Sequence, residues 1–366
     1  MTTGDPATLP LPPRDRGRMP GAIDRAAADL LPAYFALVMA TGIVSLAAWI
    51  QGFATLARGM FWLNLAFFVA LWGLTALRIV RHWARLRADV SSHSRGVGFF
   101  TAVPGACVLG SQALLIEDFA TLAWVLWIGG AALWVLVTYA VFTALTIKAE
   151  KPPLTEGLNG GWLVSIVATQ SVSVLASQLS THAGTGHEAL LFVALIAWLG
   201  GAMLYVWIIS LIFYRYTFFP FRPSDLAPPY WINMGAMAIS TLAGSMLILS
   251  ASGSPLIGEL LPFVKGTTLL FWATATWWIP MLLILGVWRH IVKRFPLRYD
   301  PLYWGAVFPL GMYSVATARM AGAIDLPFLR AVGPTFFYAA MAAWLLTLLG
   351  MGHRLVTRSA APLARG

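Results

Sequence analysis

What most constrains this chain is a succession of apolar stretches separated by short polar loops. Each is close to the twenty or so residues that a helix needs to cross the hydrocarbon core of a bilayer. Reading apolar runs between charged loops predicts ten spans, at roughly 33–50, 60–81, 97–116, 120–147, 161–180, 188–213, 230–250, 263–290, 301–318 and 333–353. Charged residues make up 10% of the 366 and hydrophobic residues 59%, whereas a soluble domain carries roughly 25% charged residues. A chain of this composition has too little polar surface to cover itself in water. The expected fold class is an all-α integral membrane protein with ten transmembrane helices. The expected division is a disordered basic cytoplasmic tail over 1–29, a ten-helix transmembrane domain over 30–355, and a short cytoplasmic tail over 356–366.

The loops orient the spans. With the N-terminus in the cytoplasm, twenty of the 24 Lys and Arg fall in inside segments; Arg58, Lys265, Arg319 and Arg330 fall outside. The bias repeats at every pair of loops, so an odd number of spans would spoil it. It predicts both termini inside and a multi-pass protein of a bacterial cytoplasmic membrane. The net charge of +10 is then a property of the cytoplasmic loops rather than of a nucleic-acid surface, for which no stretch is polar enough to fold. The one cysteine, Cys107, lies in an apolar span and excludes an intramolecular disulfide.

A second periodicity separates odd from even spans. The even spans are bulky and rich in tryptophan, among them Trp62, Trp127, Trp134, Trp198, Trp272 and Trp344. The odd spans carry small and hydroxyl residues in their middles: Thr41, Gly42 and Ser45; Pro104 and Gly105; Ser165, Thr169 and Gln170; Gly235 and Ser240; Pro309 and Gly311. Small residues permit close helix approach, and membrane-embedded hydroxyls need a polar neighbour or water. Five helical hairpins, each with one inner and one outer helix, would form a cycle of five inner helices around a central pore. Small residues also serve simply to pack helices, with no pore.

The spans hold almost no ionisable groups, which argues against a proton relay of buried carboxylates. No His/Asp/Glu cluster has ligand spacing and no nucleophile–base pair stands out. No metal, cofactor or catalytic residue is therefore expected. A pore without fixed charge still favours anions where hydroxyls, kinked backbone and helix N-termini present partial positive charge. Pro104-Gly105 and Pro309 are the kink candidates, and Phe308, just before Pro309, is positioned to plug a pore lined by that span.

Three segments carry a family resemblance. Leu31 to Ser45 (LPAYFALVMATGIVS) resembles the opening helix of the tellurite-resistance/dicarboxylate transporter family, which includes fungal malate and sulfite transporters and plant slow-type anion channels. In the fifth span, Asn159-Gly160-Gly161-Trp162-Leu163 with Ala168-Thr169-Gln170-Ser171 resembles the same family, and in the ninth, Trp304 to Tyr313 (WGAVFPLGMY) resembles its last inner helix. The resemblance covers residues 30–355. It implies five hairpins around a pore, assembly as a homotrimer, passage of small anions (chloride, nitrate, sulfite, or malate and related dicarboxylates), and occlusion by Phe308. It leaves open a proton-coupled or exchange carrier for C4-dicarboxylates or sulfite. Among the odd spans, mid-span proline occurs here only in the third and ninth. The first, fifth and seventh have Gly42, Ser165 with Thr169, and Gly235 in the comparable region.

Overall fold

A computed structural model describes residues 21–360; the rest of the expected tails, 1–20 and 361–366, lies outside the described residues. Within these bounds the chain is helical, with no β-strand among the described residues. The long helices are α1 (Ala36–Ile50), α2 (Ala54–Arg81), α3 (Ala102–Glu117), α4 (Ala120–Ile147), α5 (Val164–Leu179), α6 (His187–Phe218), α7 (Ile232–Leu249), α8 (Leu261–Val287), α9 (Trp304–Ala323) and α10 (Val332–Ala360). Within the expected N-terminal tail, Ala22–Ala28 is a short helix against α2, held by Asp24 on Arg81 and His82.

Nine helices among the described residues are long and apolar enough to cross a membrane, one fewer than the ten spans expected. The predicted ninth span is present as the 20-residue α9, but Trp304, Pro309, Tyr313 and Arg319 dilute its apolar character below that of the others.

Burial divides the helices as the composition does. In the apolar windows of α1, α3, α5 and α7, between 78% and 94% of residues are buried, against 17% to 39% for α2, α4, α6, α8 and α10. Fourteen of the 20 residues of α9 are also buried. The five buried helices touch in a closed cycle: α1 against α3, α3 against α5, α5 against α7, α7 against α9, and α9 against α1. Each outer helix packs on the inner helix that precedes it and reaches the inner helix that follows. Exposed aromatics such as Trp62, Trp207 and Trp277 lie on the outer faces, as expected of surfaces meeting lipid.

Polar bonds tie this arrangement together in two repeated ways. In mid-span, each outer helix donates to the next inner one: Asn64 to Gln112 Oε1 (2.7 Å), Trp134 to Thr169 Oγ1 (2.9 Å), Trp198 to the Ser240 carbonyl (2.9 Å), Trp272 to Thr317 Oγ1 (3.0 Å) and Trp344 to Thr41 Oγ1 (3.0 Å). In a medium without water these bonds satisfy groups that would otherwise be costly to bury. At the basic end, a cation closing each outer helix turns back to the segment before its own inner helix. Arg78 donates to the Leu30 carbonyl (2.7 Å), Lys148 to that of Ser91 (3.1 Å), Arg215 to that of Leu158 (2.6 Å) and Arg289 to that of Leu226, while Arg354 sits 5.9 Å over the Tyr299 ring. Arg78 also pairs with Asp89 at 2.6 Å, and Arg215 also donates to the Tyr230 hydroxyl.

Each inner helix opens with a tight 3-10 segment: Pro32–Phe35, Gly96–Thr101, Gly160–Leu163, Pro228–Trp231 and Pro301–Tyr303. Three begin with proline, whose fixed φ and missing N–H suit a first helical position. Asn159 and Asp300 cap two of them, accepting from Gly161 N and Leu302 N, each at 2.8 Å. These starts crowd one another. A Cβ at Gly98 would lie 2.9 Å from Ala33 N, so only glycine lets the first two inner helices begin in contact.

Candidate functional site

Two cavities lie inside the cycle, one at each end. The larger, of about 140 Å³, is at the end where the inner helices begin. Ala33 and Met39, Gly98 and Thr101, Val164 and Val167, Pro229 and Ile232, and Gly305 and Phe308 line it, two from each inner helix or its opening segment. The smaller, of about 30 Å³, lies at the opposite end and takes Ile43, Val108, Ser171, Ile239 and Met312 from the same five helices, with Ser111, Gln178 and Arg319. A space of that size holds about two water molecules.

The lining residues recur at helical spacing. On α9 they run Gly305, Phe308, Met312, Val315, Arg319; on α5, Val164, Val167, Ser171, Val174, Gln178; on α1, Ala36, Met39, Ile43, Leu46, Ile50. Steps of three and four keep one face of each helix toward the axis. Met39 and Phe308 belong to the larger cavity, Ile43 and Met312 to the smaller, so one helical turn, about 6 Å, separates the two along α1 and α9. That turn is a dry apolar waist: Met39 is 2% exposed, and Ile43, Ile239, Phe308 and Met312 are each 1% exposed.

The electrostatics of the two ends differ. The first turns of five helices converge on the larger cavity, where their N–H groups lack intrahelical partners and the helix dipoles are positive. The cations that close the outer helices surround the same end. Beside it lies a polar basin of about 520 Å³ lined by Ser91, Ser92, His93, Lys148, Glu150 and Lys151, and Ser94 lines both spaces. Burial, then the charges of Lys148 and Lys151, push the His93 imidazole below its ordinary range, so it is neutral at neutral pH.

Of the residues singled out from sequence, Phe308 lines the larger cavity. The others lie off both cavities, bonded within their own helix or set against neighbouring ones. Thr41 accepts the Trp344 indole, and Ser45 donates to the Ala57 carbonyl at 2.8 Å. Thr169 accepts from Trp134 and donates to the Ser165 carbonyl, and Ser165 donates to that of Trp162. Gln170 donates to the Trp198 carbonyl at 3.0 Å, and Ser240 to that of Ala236 at 2.8 Å. Gly42 lies against Asn64, Val108 and Gln112, and Gly311 against Ile43 and Val44. Gly105 faces Phe35 and Val38, and Pro104 beside it is buried. At Gly235 a Cβ would lie 2.7 Å from the Pro309 ring, which packs on it. The apolar axial residues Met39, Ile43, Val108, Ile239 and Met312 are not among those singled out. Their signal in the sequence is the three–four stripe, on a different face from the hydroxyls. Among the described residues there is no group of three or more His, Cys, Asp or Glu placed to hold a metal.

Residues 29–352 match the family model for voltage-dependent anion channels. An uncharacterized transporter of Methanocaldococcus jannaschii is 25% identical over 340 residues, 90% of this chain and 94% of its own length. A second from the same organism is 24% identical over 326 residues, covering 86% of this chain and 92% of its own length. An uncharacterized membrane protein of Mycobacterium tuberculosis is 41% identical over 152 residues, 42% of this chain and 77% of that protein.

Proposed function

The chain belongs to the voltage-dependent anion channel family, and we propose that it passes small anions along the axis of its five inner helices, with Phe308 as the occluding side chain. In this reading the polypeptide crosses a bacterial cytoplasmic membrane ten times as five antiparallel hairpins, with both termini in the cytoplasm, and assembles as a homotrimer with one pathway per subunit. α9 is a true span despite its lower apolarity, because it is shielded from lipid by its neighbours and needs no apolar exterior.

The observation that carries the reading is the pair of axial cavities lined by all five inner helices and parted by one apolar turn. An anion at the basic end is drawn by cations and helix N-termini. It then meets a layer with no polar group to replace its water, the arrangement of a hydrophobic gate. Rotation of Phe308 about χ1 would join the cavities. Pro309 supplies no N–H to the Gly305 carbonyl, which loosens α9 at the turn that carries this ring. Chloride, nitrate and sulfite match the narrow axis, with C4-dicarboxylates as a larger test. The small residues Gly42, Gly105, Gly235 and Gly311, with Pro104, set helix approach and kink. The hydroxyls of Thr41, Ser45, Ser165, Thr169 and Ser240, with Gln170, hold the pathway's walls.

The test is anion flux in proteoliposomes across chloride, nitrate, sulfite, malate and succinate. Phe308→Ala is expected to raise flux by about tenfold or more, equivalent to about 1.4 kcal/mol off the barrier. A folded Phe308→Ala protein with wild-type flux removes Phe308 as the gate. Flux that depends strictly on an imposed pH gradient at fixed voltage replaces the channel with a coupled carrier.

A further inference from the structure

Arg319 falls in an outside loop by sequence, yet it occupies the last turns of α9 and lines the smaller cavity. It continues the stripe Phe308, Met312, Val315, and is 11 residues, about 16 Å, beyond the gate. It is the one charged residue among those described that line this cavity. The other arginines drawn into the protein are all engaged: Arg78 with Asp89 and the Leu30 carbonyl, Arg215 with the Leu158 carbonyl and Tyr230, Arg289 with the Leu226 carbonyl. Arg319 makes no hydrogen bond or ion pair among the described residues. Half-buried and unmatched, a guanidinium is costly unless something else meets its charge.

The acids at this end do not meet it. Glu117 pairs with Arg58 at 3.6 Å, Glu188 accepts from Ser254 at 2.9 Å, and neither these nor Asp118, Glu259 or Asp325 lines the cavity. Across the cavity, α5 ends its own stripe on Gln178, whose buried Oε1 has no partner. Its amide also carries N–H donors at the wall of this space. We propose that the smaller cavity is an anion-coordination site in which Arg319 supplies the charge and Gln178 a second donor, for an inorganic anion of chloride or nitrate size. A guanidinium is weakly hydrated and presents a flat fork of donors, which suits a partly dehydrated ion. The volume of about 30 Å³ suits a compact ion better than a dicarboxylate. Such a site captures the ion on the side remote from the basic loops and stabilises it before or after the waist. The proposal rests on the reading of the axis as an anion pathway.

The experiment uses the full chain in proteoliposomes, with Phe308→Ala as the open background and chloride as the probe. Adding Arg319→Gln is expected to lower flux by about tenfold at low salt. The deficit should shrink as the Debye length falls from about 30 Å at 0.01 M to about 3 Å at 1 M. Arg319→Lys restores most of the flux, and Gln178→Leu raises the half-saturating chloride concentration. In a Cys107→Ser background, Arg319→Cys allows charge to be added after folding. A cationic methanethiosulfonate raises flux and an anionic one depresses it. Unchanged half-saturation and salt dependence in folded Arg319→Gln, or equal effects of the two reagents, overturns the site while leaving the anion pathway intact. Absence of chloride, nitrate and sulfite flux in the Phe308→Ala background overturns the pathway, and the site with it.

Discussion

At the scale of single residues, the hydroxyls of this protein mostly bond carbonyls of their own helix, while its indoles and arginines reach across to other segments. Arg215 shows how specific that use is. Its guanidinium serves the Leu158 carbonyl and the Tyr230 hydroxyl at once and lies over the Phe221 ring at 5.7 Å. Both bonds come from Nη1, and Arg215→Lys keeps the charge but ends one atom short of it, so at least one charged bond goes, at about 1.5–3 kcal/mol. Thermal unfolding in detergent should show the loss. Gly235 meets Pro309, a rigid ring on a neighbouring backbone, so Gly235→Ala must push α7 from α9. Overpacking of this kind costs about 1–3 kcal/mol, and earlier aggregation on heating measures it. Arg319 was not legible as an axial residue because a cation near the end of an apolar run reads equally well as the start of a loop. Only the phase of the stripe that begins at Gly305 places it inside.

At the scale of elements, the outer helices act as staples, each bonded forward to the next inner helix and backward, through its terminal cation, to its own. Trp134→Phe, Trp272→Phe and Trp344→Phe each remove one forward bond while keeping an aromatic body. Each should cost about 0.6 kcal/mol and at most about 1.7. The three sites are on separate helices, so the triple variant should sum them. A double-mutant cycle of Trp344→Phe with Thr41→Val measures one bond alone. The apolar runs that became helices were legible almost to their ends, because crossing a bilayer dictates both length and composition. The alternation of tryptophan with hydroxyl was legible too, and it matched the division into outer and inner helices. Its meaning was less so. Sequence shows that a buried hydroxyl requires a partner but not which one, and here the tryptophan indoles take Thr41, Thr169 and Thr317. The face left toward the axis at the waist is apolar.

At the scale of the whole molecule, five similar units close on themselves, and closure depends on one bond pattern. Four of the forward bonds join helices that follow one another in the chain. The fifth, Trp344 to Thr41, spans 303 residues. During synthesis the first inner helix therefore reaches the bilayer long before its last partner exists. Until α10 arrives, the outer side of the joint between α9 and α1 lies uncovered, and Thr41 lacks the indole that bonds it. The protein thus carries a seam. Chains halted before α10 present that seam to whatever the membrane offers, an insertase or the corresponding edge of another unfinished copy. That late step covers the joint where α9 meets α1 and the cycle of inner helices closes.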